Sequence, residues 1–141
     1  MEILTIGDKT LTKKAKRVSN VDDTIRNLCA ALVKTMYDND GVGLAAPQVG
    51  ILKRIIVIDI DGKPLILINP DISFMSEDKV RMEEGCLSVP GDYREIDRPR
   101  TIVVRYRDTK GRYNLEKFEG LSSRIIQHEV DHLDGILMVD H

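Results

Sequence analysis

The sequence has 141 residues, the length of one ordinary domain, and is 42% hydrophobic and 31% charged. This balance is typical of a globular protein with a buried core and excludes a disordered or fibrous chain. The net charge of −2 argues against a direct nucleic-acid site. No apolar run approaches the roughly 20 residues of a membrane span, and the first residues lack a signal-peptide pattern. Two cysteines make no disulfide framework, so we expect a reducing compartment, the cytoplasm.

The first periodic segment, residues 21–38, predicts an amphipathic helix. A short polar side chain, Asn20 or Asp22, can cap its start by accepting a hydrogen bond from an unpaired backbone N–H. We expect Cys29 to fill the core as a small hydrophobic residue, because it lies among the apolar positions. These positions recur at spacings of three and four residues: Ile25, Leu28, Cys29, Leu32, Val33 and Met36.

Residues 41–50 are small, uncharged and punctuated by glycines. Such a composition predicts a loop whose backbone approaches another group closely. The glycines do not have the spacing of a phosphate-binding loop, and no Gly-Lys-Ser/Thr sequence follows them. We therefore do not interpret the segment as a phosphate site.

The middle of the chain predicts antiparallel hairpins. Residues 54–60 and 64–69 are rich in β-branched side chains and flank an Asp-Gly turn, which is a strong hairpin signal. Residues 102–107 and 113–118 flank a second turn of the same kind. Residues 71–76 predict a further short strand.

The last clear element is a helix over about residues 121–133, with Gly135 placed to end it. We expect Leu121, Ile125 and Leu133 on its inner face. Helix, antiparallel strands and helix follow one another along the chain, which indicates the α+β class. The prediction is one domain over residues 1–141, in which antiparallel strands pack around this central helix and one further helix lies near the N-terminus.

The last helix carries the sequence HEVDH, in which His128 and His132 are one turn apart. Both imidazoles project from the same face, so they can bind one metal ion. Glu129 lies beside the first histidine, where it can hold a water molecule rather than the metal. The alternative is a solvated helix whose two histidines are satisfied by other hydrogen-bond partners and bind no metal.

A catalytic metal site of this kind needs a third protein ligand. The downstream candidates are Asp134, Asp140 and His141, which lie too close to the helix end to fold back easily. Upstream, Cys86 is the best candidate, because a thiolate is a strong ligand for divalent first-row metals. Alone, Cys86 could equally be a buried core thiol; beside the helix motif, the ligand interpretation is favoured.

Three segments together resemble the signature motifs of the peptide deformylase family. They are residues 41–48 (GVGLAAPQ), 84–88 (EGCLS) and 127–133 (QHEVDHL), in the order in which the family has them. The resemblance covers almost the whole chain, and the EGCLS form indicates the bacterial-type group. It implies a hydrolase that removes the formyl group from formyl-methionine of nascent polypeptides and releases formate, in the cytoplasm of a bacterium or of a phage-infected bacterial cell.

The resemblance also implies a metal centre with one divalent ion per chain. Cys86, His128 and His132 would be the ligands, and a water or hydroxide in the fourth position would attack the formyl carbon. Glu129 would be the general base and would later protonate the leaving amine. The expected metal is Fe(II), with Zn(II), Ni(II) or Co(II) able to substitute.

The remaining expected site residues surround this centre. By the resemblance, the side-chain amide of Gln48 and the backbone N–H of Leu87 would stabilise the oxyanion on the formyl oxygen. Arg98 could pair with Asp131 and orient the metal-bearing helix. Plain core packing is the alternative for the apolar members of the substrate-binding set. That set is Gly41, Val42, Gly43, Tyr93, Leu121 and Ile125.

The expected partners are N-formylmethionyl peptides. The sequence given stops at His141, soon after the helix motif, whereas many members of the family continue into a further C-terminal element. In some members that element helps to dock on the ribosome, so a transient ribosome contact is left open here.

Two alternative functions share part of the pattern. A zincin-type endopeptidase has the same helix motif, but it needs a downstream ligand and would cleave unformylated peptides. A non-catalytic metal- or peptide-binding module would be expected to have lost Glu129, Gln48 or Cys86, and all three are present. Because every residue that the deformylase mechanism requires is present, the sequence favours a deformylase.

Overall fold

A computed structural model describes all 141 residues and shows two helices and seven strands. The helices are α1 (Asp23–Asp38) and α2 (Gly120–Leu133). The strands are β1 (Gly43–Ala45), β2 (Ile55–Ile60), β3 (Lys63–Met75), β4 (Lys79–Cys86), β5 (Val89–Pro99), β6 (Thr101–Arg107) and β7 (Tyr113–Glu119). Three short 3-10 helices cover Lys9–Thr12, Ala46–Val49 and Met138–Asp140.

The strands form two antiparallel sheets. The larger sheet has five strands in the order β1-β2-β3-β6-β7, and the smaller is the β4–β5 hairpin. The predicted α+β class, with antiparallel strands around the helix that carries HEVDH, is confirmed. Neither helix has the length and apolar character that crossing a membrane requires.

β2 connects the two halves of the hydrophobic core, because it is buried on both faces. Successive side chains of a strand point to opposite sides. Ile55 and Val57 therefore pack with the apolar stripe of α1, whereas Ile56 and Ile58 pack with α2. The five-stranded sheet is the middle layer between the helices, and the position of α2 is set by this packing.

α1 begins close to where its periodicity predicted. Asp22, rather than Asn20, caps it: the carboxylate accepts a hydrogen bond from the backbone N–H of Ile25 (3.0 Å). Cys29 is fully buried in the core, as predicted. Burial raises the pKa of its thiol to about 11, so the side chain is a neutral hydrophobic residue at physiological pH.

α2 ends as predicted, but its inner face differs from the expectation. Gly135 has φ of +74° and its N–H donates to the carbonyl of His132 (3.1 Å), which closes the helix end. Ile125 and Leu133 are buried. The expectation for Leu121 was wrong: its side chain is 58% exposed in the first turn, where it borders a cleft instead of the core.

Both predicted hairpins are present, and three strand assignments need correction. Residues 71–76 do not form a separate strand, since β3 continues to Met75 through an irregular register where Asn69 has φ of +53°. The segment predicted as a glycine-rich loop contains β1 and a 3-10 helix. The β4–β5 hairpin was not predicted, because its side chains are mostly charged and exposed and give no apolar alternation.

We predict that truncating Ile126 destabilises the fold. Its side chain is fully buried where α2 meets the sheet, so Ile126→Ala removes apolar contacts and leaves a cavity. The free energy of unfolding should fall by about 2–5 kcal/mol, measured by urea unfolding followed by circular dichroism. Leu115→Ala is the control, because Leu115 is 71% exposed and its loss should change stability by about 0.5 kcal/mol or less. Equal effects of the two substitutions would contradict the position of Ile126 in the core.

Candidate active site

Cys86, His128 and His132 form one cluster, in which the possible ligand atoms all lie within 4.8 Å of one another. The two histidines lie one turn apart on α2 and are buried. Cys86 ends β4, where the register of the hairpin shifts, and its Sγ lies 3.3 Å from Nε2 of His132. The three donors come from two different elements and face a common point.

This donor set fits a divalent first-row metal. One thiolate and two imidazoles are ligands that such ions accept, and a catalytic site of this type has three protein ligands. Beside the cluster, Oε1 of Glu129 is buried without a hydrogen-bond partner. Buried polar atoms are nearly always paired, so an unpaired carboxylate oxygen at this point fits a site that holds a further polar group.

A cleft of about 570 Å³ opens onto the cluster. Gln48, Leu87 and Glu129 line it. Val42 and Tyr93 are more than half exposed there, which excludes core packing for them, whereas Ile125 belongs to both the cleft and the core. The cleft is also lined by the whole predicted substrate-binding set: Gly41, Val42, Gly43, Tyr93, Leu121 and Ile125.

The glycines of the first motif are needed for close approach, as their pattern predicted. A Cβ on Gly43 would lie 2.5 Å from Oε2 of Glu129, and a Cβ on Gly41 would lie 2.9 Å from a methyl group of Leu87. Both distances are too short for real contacts. The absence of side chains at these two positions therefore leaves room for the Glu129 carboxyl group and the Leu87 side chain.

The side-chain amide of Gln48 has a fixed orientation. Its Oε1 accepts a hydrogen bond from the backbone N–H of Ala45 (2.9 Å), which identifies the other end as the amide nitrogen. That Nε2 donates to Oγ of Ser88 (3.1 Å) and lies 3.7 Å from Sγ of Cys86. The donor end of Gln48 thus faces the metal-binding cluster.

A buried carboxylate behind the cluster, that of Glu84, was missed by the sequence analysis. Nδ1 of His128 donates to Oε1 of Glu84 (2.8 Å). Arg98 donates to both oxygens of Glu84 (2.5 and 2.9 Å), and Arg124 donates to Oε2 (2.5 Å). No local sequence signal marks this role, because apolar periodicity does not reveal β4 and His128 lies 44 positions away in the sequence.

The expected contact between Arg98 and Asp131 is present. Nη1 of Arg98 donates to Oδ2 of Asp131 (3.1 Å), and Asp131 lies on α2 between the two histidines. The same guanidinium binds Glu84 through its other two nitrogens, so it joins β5 to β4 and α2 at once. Its role in orienting the helix stays a prediction.

The surroundings shift the pKa values of two carboxyl groups and one imidazole of the site in different directions. Burial alone would raise the pKa of Glu84, but hydrogen bonds from His128 and Arg98 hold it at about 2, so this group is ionised. Burial raises the pKa of Glu129 to about 7. Burial also lowers the pKa of His132 to about 3, which favours the neutral imidazole that a metal requires.

Comparisons with known proteins agree over the full length of the chain. A family model described as polypeptide deformylase matches residues 1–141. A peptide deformylase of Picosynechococcus sp. is 50% identical over 145 residues, which cover 99% of this chain and 78% of the relative. The crystal structure of peptide deformylase from Thermotoga maritima has a TM-score of 0.97 and 44% identity and covers 99% of this chain and 95% of that one. That of a Synechococcus elongatus peptide deformylase with actinonin has a TM-score of 0.96 and 48% identity and covers 99% and 76%.

The fold and these relatives place the molecule among the hydrolases. The chain belongs to the polypeptide deformylase family, so the assignment predicted from its three motifs is confirmed. The expectation of an enzyme is confirmed with it, and membership supports removal of an N-formyl group as the reaction. This membership disagrees with the alternative of a zincin-type endopeptidase.

We predict that the Glu84 carboxylate contributes to metal affinity. Glu84→Gln removes the negative charge that accepts from His128, so the affinity for Co(II) should fall roughly 10- to 100-fold, measured by competition with a chromogenic chelator. Glu77→Gln is the control, because Glu77 is exposed and lies outside the cleft. Circular dichroism of both variants confirms that the protein measured is folded. A Glu84→Gln protein that binds Co(II) as tightly as the control would contradict this role.

Proposed function

We propose that residues 1–141 form one catalytic domain, a metal-dependent peptide deformylase that removes the formyl group from formyl-methionine of nascent polypeptides and releases formate. One observation carries this proposal. In this member of the family, a cluster of three possible metal ligands, a buried carboxyl group and an oriented amide donor lie together at one cleft. Because ribosomes produce this substrate, we place the enzyme in the bacterial cytoplasm.

In this proposal, Cys86, His128 and His132 hold one divalent ion. Fe(II) is the expected metal, and Zn(II), Ni(II) or Co(II) can replace it, since the donor set suits each of them. A bound divalent metal lowers the pKa of a coordinated water and acts as a Lewis acid. The hydrogen bond from Nδ1 of His128 to Glu84 supports the assignment, because it leaves Nε2 of that ring to face the cluster.

Glu129 is the proposed general base. Its carboxyl group is buried beside the ligands, and its raised pKa of about 7 suits a group that both accepts and returns a proton near neutrality. It accepts the proton of the attacking water, and it then delivers a proton to the amine that leaves when the formyl C–N bond breaks. Gly43 leaves the space in which this carboxyl group lies.

Gln48 and Leu87 are the proposed donors to the developing oxyanion. The Nε2 group of Gln48 is held toward the cluster by the bond that its Oε1 accepts from Ala45. The backbone N–H of Leu87 follows directly after the ligand Cys86, in the same cleft. Donors that are oriented before the reaction stabilise negative charge at little reorganisation cost.

The walls of the cleft suit an extended peptide that begins with an apolar residue. β1 is an edge strand of the larger sheet, and such an edge can pair with the backbone of a bound peptide. Val42, Leu121 and Ile125 present apolar side chains for methionine, and Tyr93 packs over Gly85 on the opposite wall. Gly41 and Gly43 leave the space in which the Leu87 side chain and the Glu129 carboxyl group line the inner end of the cleft.

The first test is formate release from formyl-Met-Ala-Ser. The protein is prepared without oxygen and loaded with Fe(II) or Ni(II), and formate is measured with a coupled dehydrogenase assay. We expect metal-dependent release of formate with the Met–Ala bond intact, as analysed by mass spectrometry. Cleavage of unformylated Met-Ala-Ser would instead support an endopeptidase, and a protein that binds one metal per chain without releasing formate would contradict the proposal.

A second test addresses the proposed base. Glu129→Gln keeps the size of the side chain and removes its ability to accept a proton, so kcat should fall roughly 10²- to 10⁴-fold. Metal content, measured by inductively coupled plasma mass spectrometry, should stay at the wild-type value. Glu77→Gln is the control, since Glu77 is exposed and lies outside the cleft. Full turnover by Glu129→Gln would show that another group accepts the proton.

A further inference from the structure

A continuous line of hydrogen-bonded side chains leads from His141 to the buried ring of His128. Nε2 of His141 donates to Oδ2 of Asp131 (2.8 Å), and the same oxygen accepts from Nη1 of Arg98 (3.1 Å). Arg98 binds both oxygens of Glu84, and Glu84 accepts from Nδ1 of His128. His141 is thus linked to one member of the metal-binding cluster through three intervening side chains.

The inner links of this line are well buried, so each constrains the next. The side chains of Arg98 and Glu84 are both 5% exposed and meet in a two-point contact, which fixes the plane of the guanidinium as well as its position. The direction in which Nη1 of Arg98 points is therefore tied to the position of Asp131. A displacement of Asp131 would therefore either break its hydrogen bond with Nη1 of Arg98 or pull the guanidinium away from Glu84.

His141 is held against Asp131 by the fold of the preceding residues. Met138 is buried against the β4–β5 hairpin, and Oδ2 of Asp140 accepts from the backbone N–H of Leu137 (2.8 Å). The backbone N–H of His141 in turn donates to the carbonyl of Met138 (3.2 Å). This 3-10 turn places the imidazole over the outer side of Asp131, whose side chain is 23% exposed.

We propose that His141 is a positioning residue for the metal centre. By donating to Asp131, it holds that carboxylate where Arg98 reaches it, and Arg98 and Glu84 then fix the orientation of the His128 ring. The inference rests on the proposed function in one respect only: it takes His128 to be a metal ligand. It adds a residue outside the three sequence motifs to the groups on which that ligand depends.

The competing explanation is an ordinary surface pair. The imidazole of His141 is 35% exposed, and exposed ion pairs commonly contribute little to stability. A surface pair would leave metal affinity unchanged when it is removed, whereas a positioning residue would not. Metal affinity and the spectrum of the bound metal therefore distinguish the two explanations.

The test compares His141→Leu with His141→Gln in protein loaded with Co(II). Leucine cannot donate to Asp131, whereas the amide of glutamine can, so only the first variant breaks the line. We expect His141→Leu to lower Co(II) affinity about threefold to tenfold, less than the roughly 10–100-fold typical of a direct partner of a ligand. We expect the visible absorption bands of bound Co(II) to shift in His141→Leu and to return to the wild-type position in His141→Gln. Lys34→Leu, which removes an exposed donor to Asp38 on α1, is the control and should match the wild type in both measurements.

Two results would overturn the proposal. One is wild-type affinity and an unshifted spectrum in His141→Leu, and the other is a loss in His141→Leu that His141→Gln does not restore, which would indicate packing instead of donation. Thermal unfolding followed by circular dichroism confirms that each variant is folded. Failure of the proposed function is seen separately, as absence of formate release from the wild-type protein, because the affinity and spectral measurements need no substrate.

Discussion

The buried carboxylate of Glu84 is the group on which the arrangement of the site depends. An ionised carboxylate in the protein interior is costly unless it is paired and hydrogen-bonded on all sides. Here three donors surround it, from Arg98 on β5 and from Arg124 and His128 on α2. Because Glu84 and Cys86 lie on the same strand, the contacts that satisfy the charge also bring the cysteine to the two histidines.

This polar network holds the β4–β5 hairpin against α2, whereas apolar packing holds the other elements together. α2 is held on the larger sheet by a core cluster of 12 buried residues, whereas the cluster under the β4–β5 hairpin has three: Val89, Ile96 and Met138. A core of that size cannot by itself fix the register between a hairpin and a helix. The directional contacts that cross from the hairpin to α2 specify that register: Glu84 accepts from His128 and Arg124, and Arg98 donates to Asp131.

The same division explains what the sequence could and could not predict. α1, α2 and the two predicted hairpins carry apolar side chains at regular spacing, so periodicity found them. β4 has only one buried side chain, and it is the charged Glu84, so hydrophobic periodicity cannot reveal the strand. The spacing of His128 and His132 on one helix face follows from helix geometry, whereas the contact of Glu84 with His128 spans 44 positions of sequence and depends on tertiary structure.

The surroundings of two carboxyl groups near the cluster shift their pKa values in opposite directions. Hydrogen bonds from His128 and Arg98 keep the pKa of Glu84 at about 2, whereas Glu129 is buried with one oxygen unpaired and burial raises its pKa to about 7. A group that is ionised at every physiological pH can orient a ligand but cannot exchange a proton near neutrality. A group with a pKa close to 7 can both accept and release a proton there. The separation of pKa values therefore supports the proposal that Glu129 transfers the proton and that Glu84 orients His128.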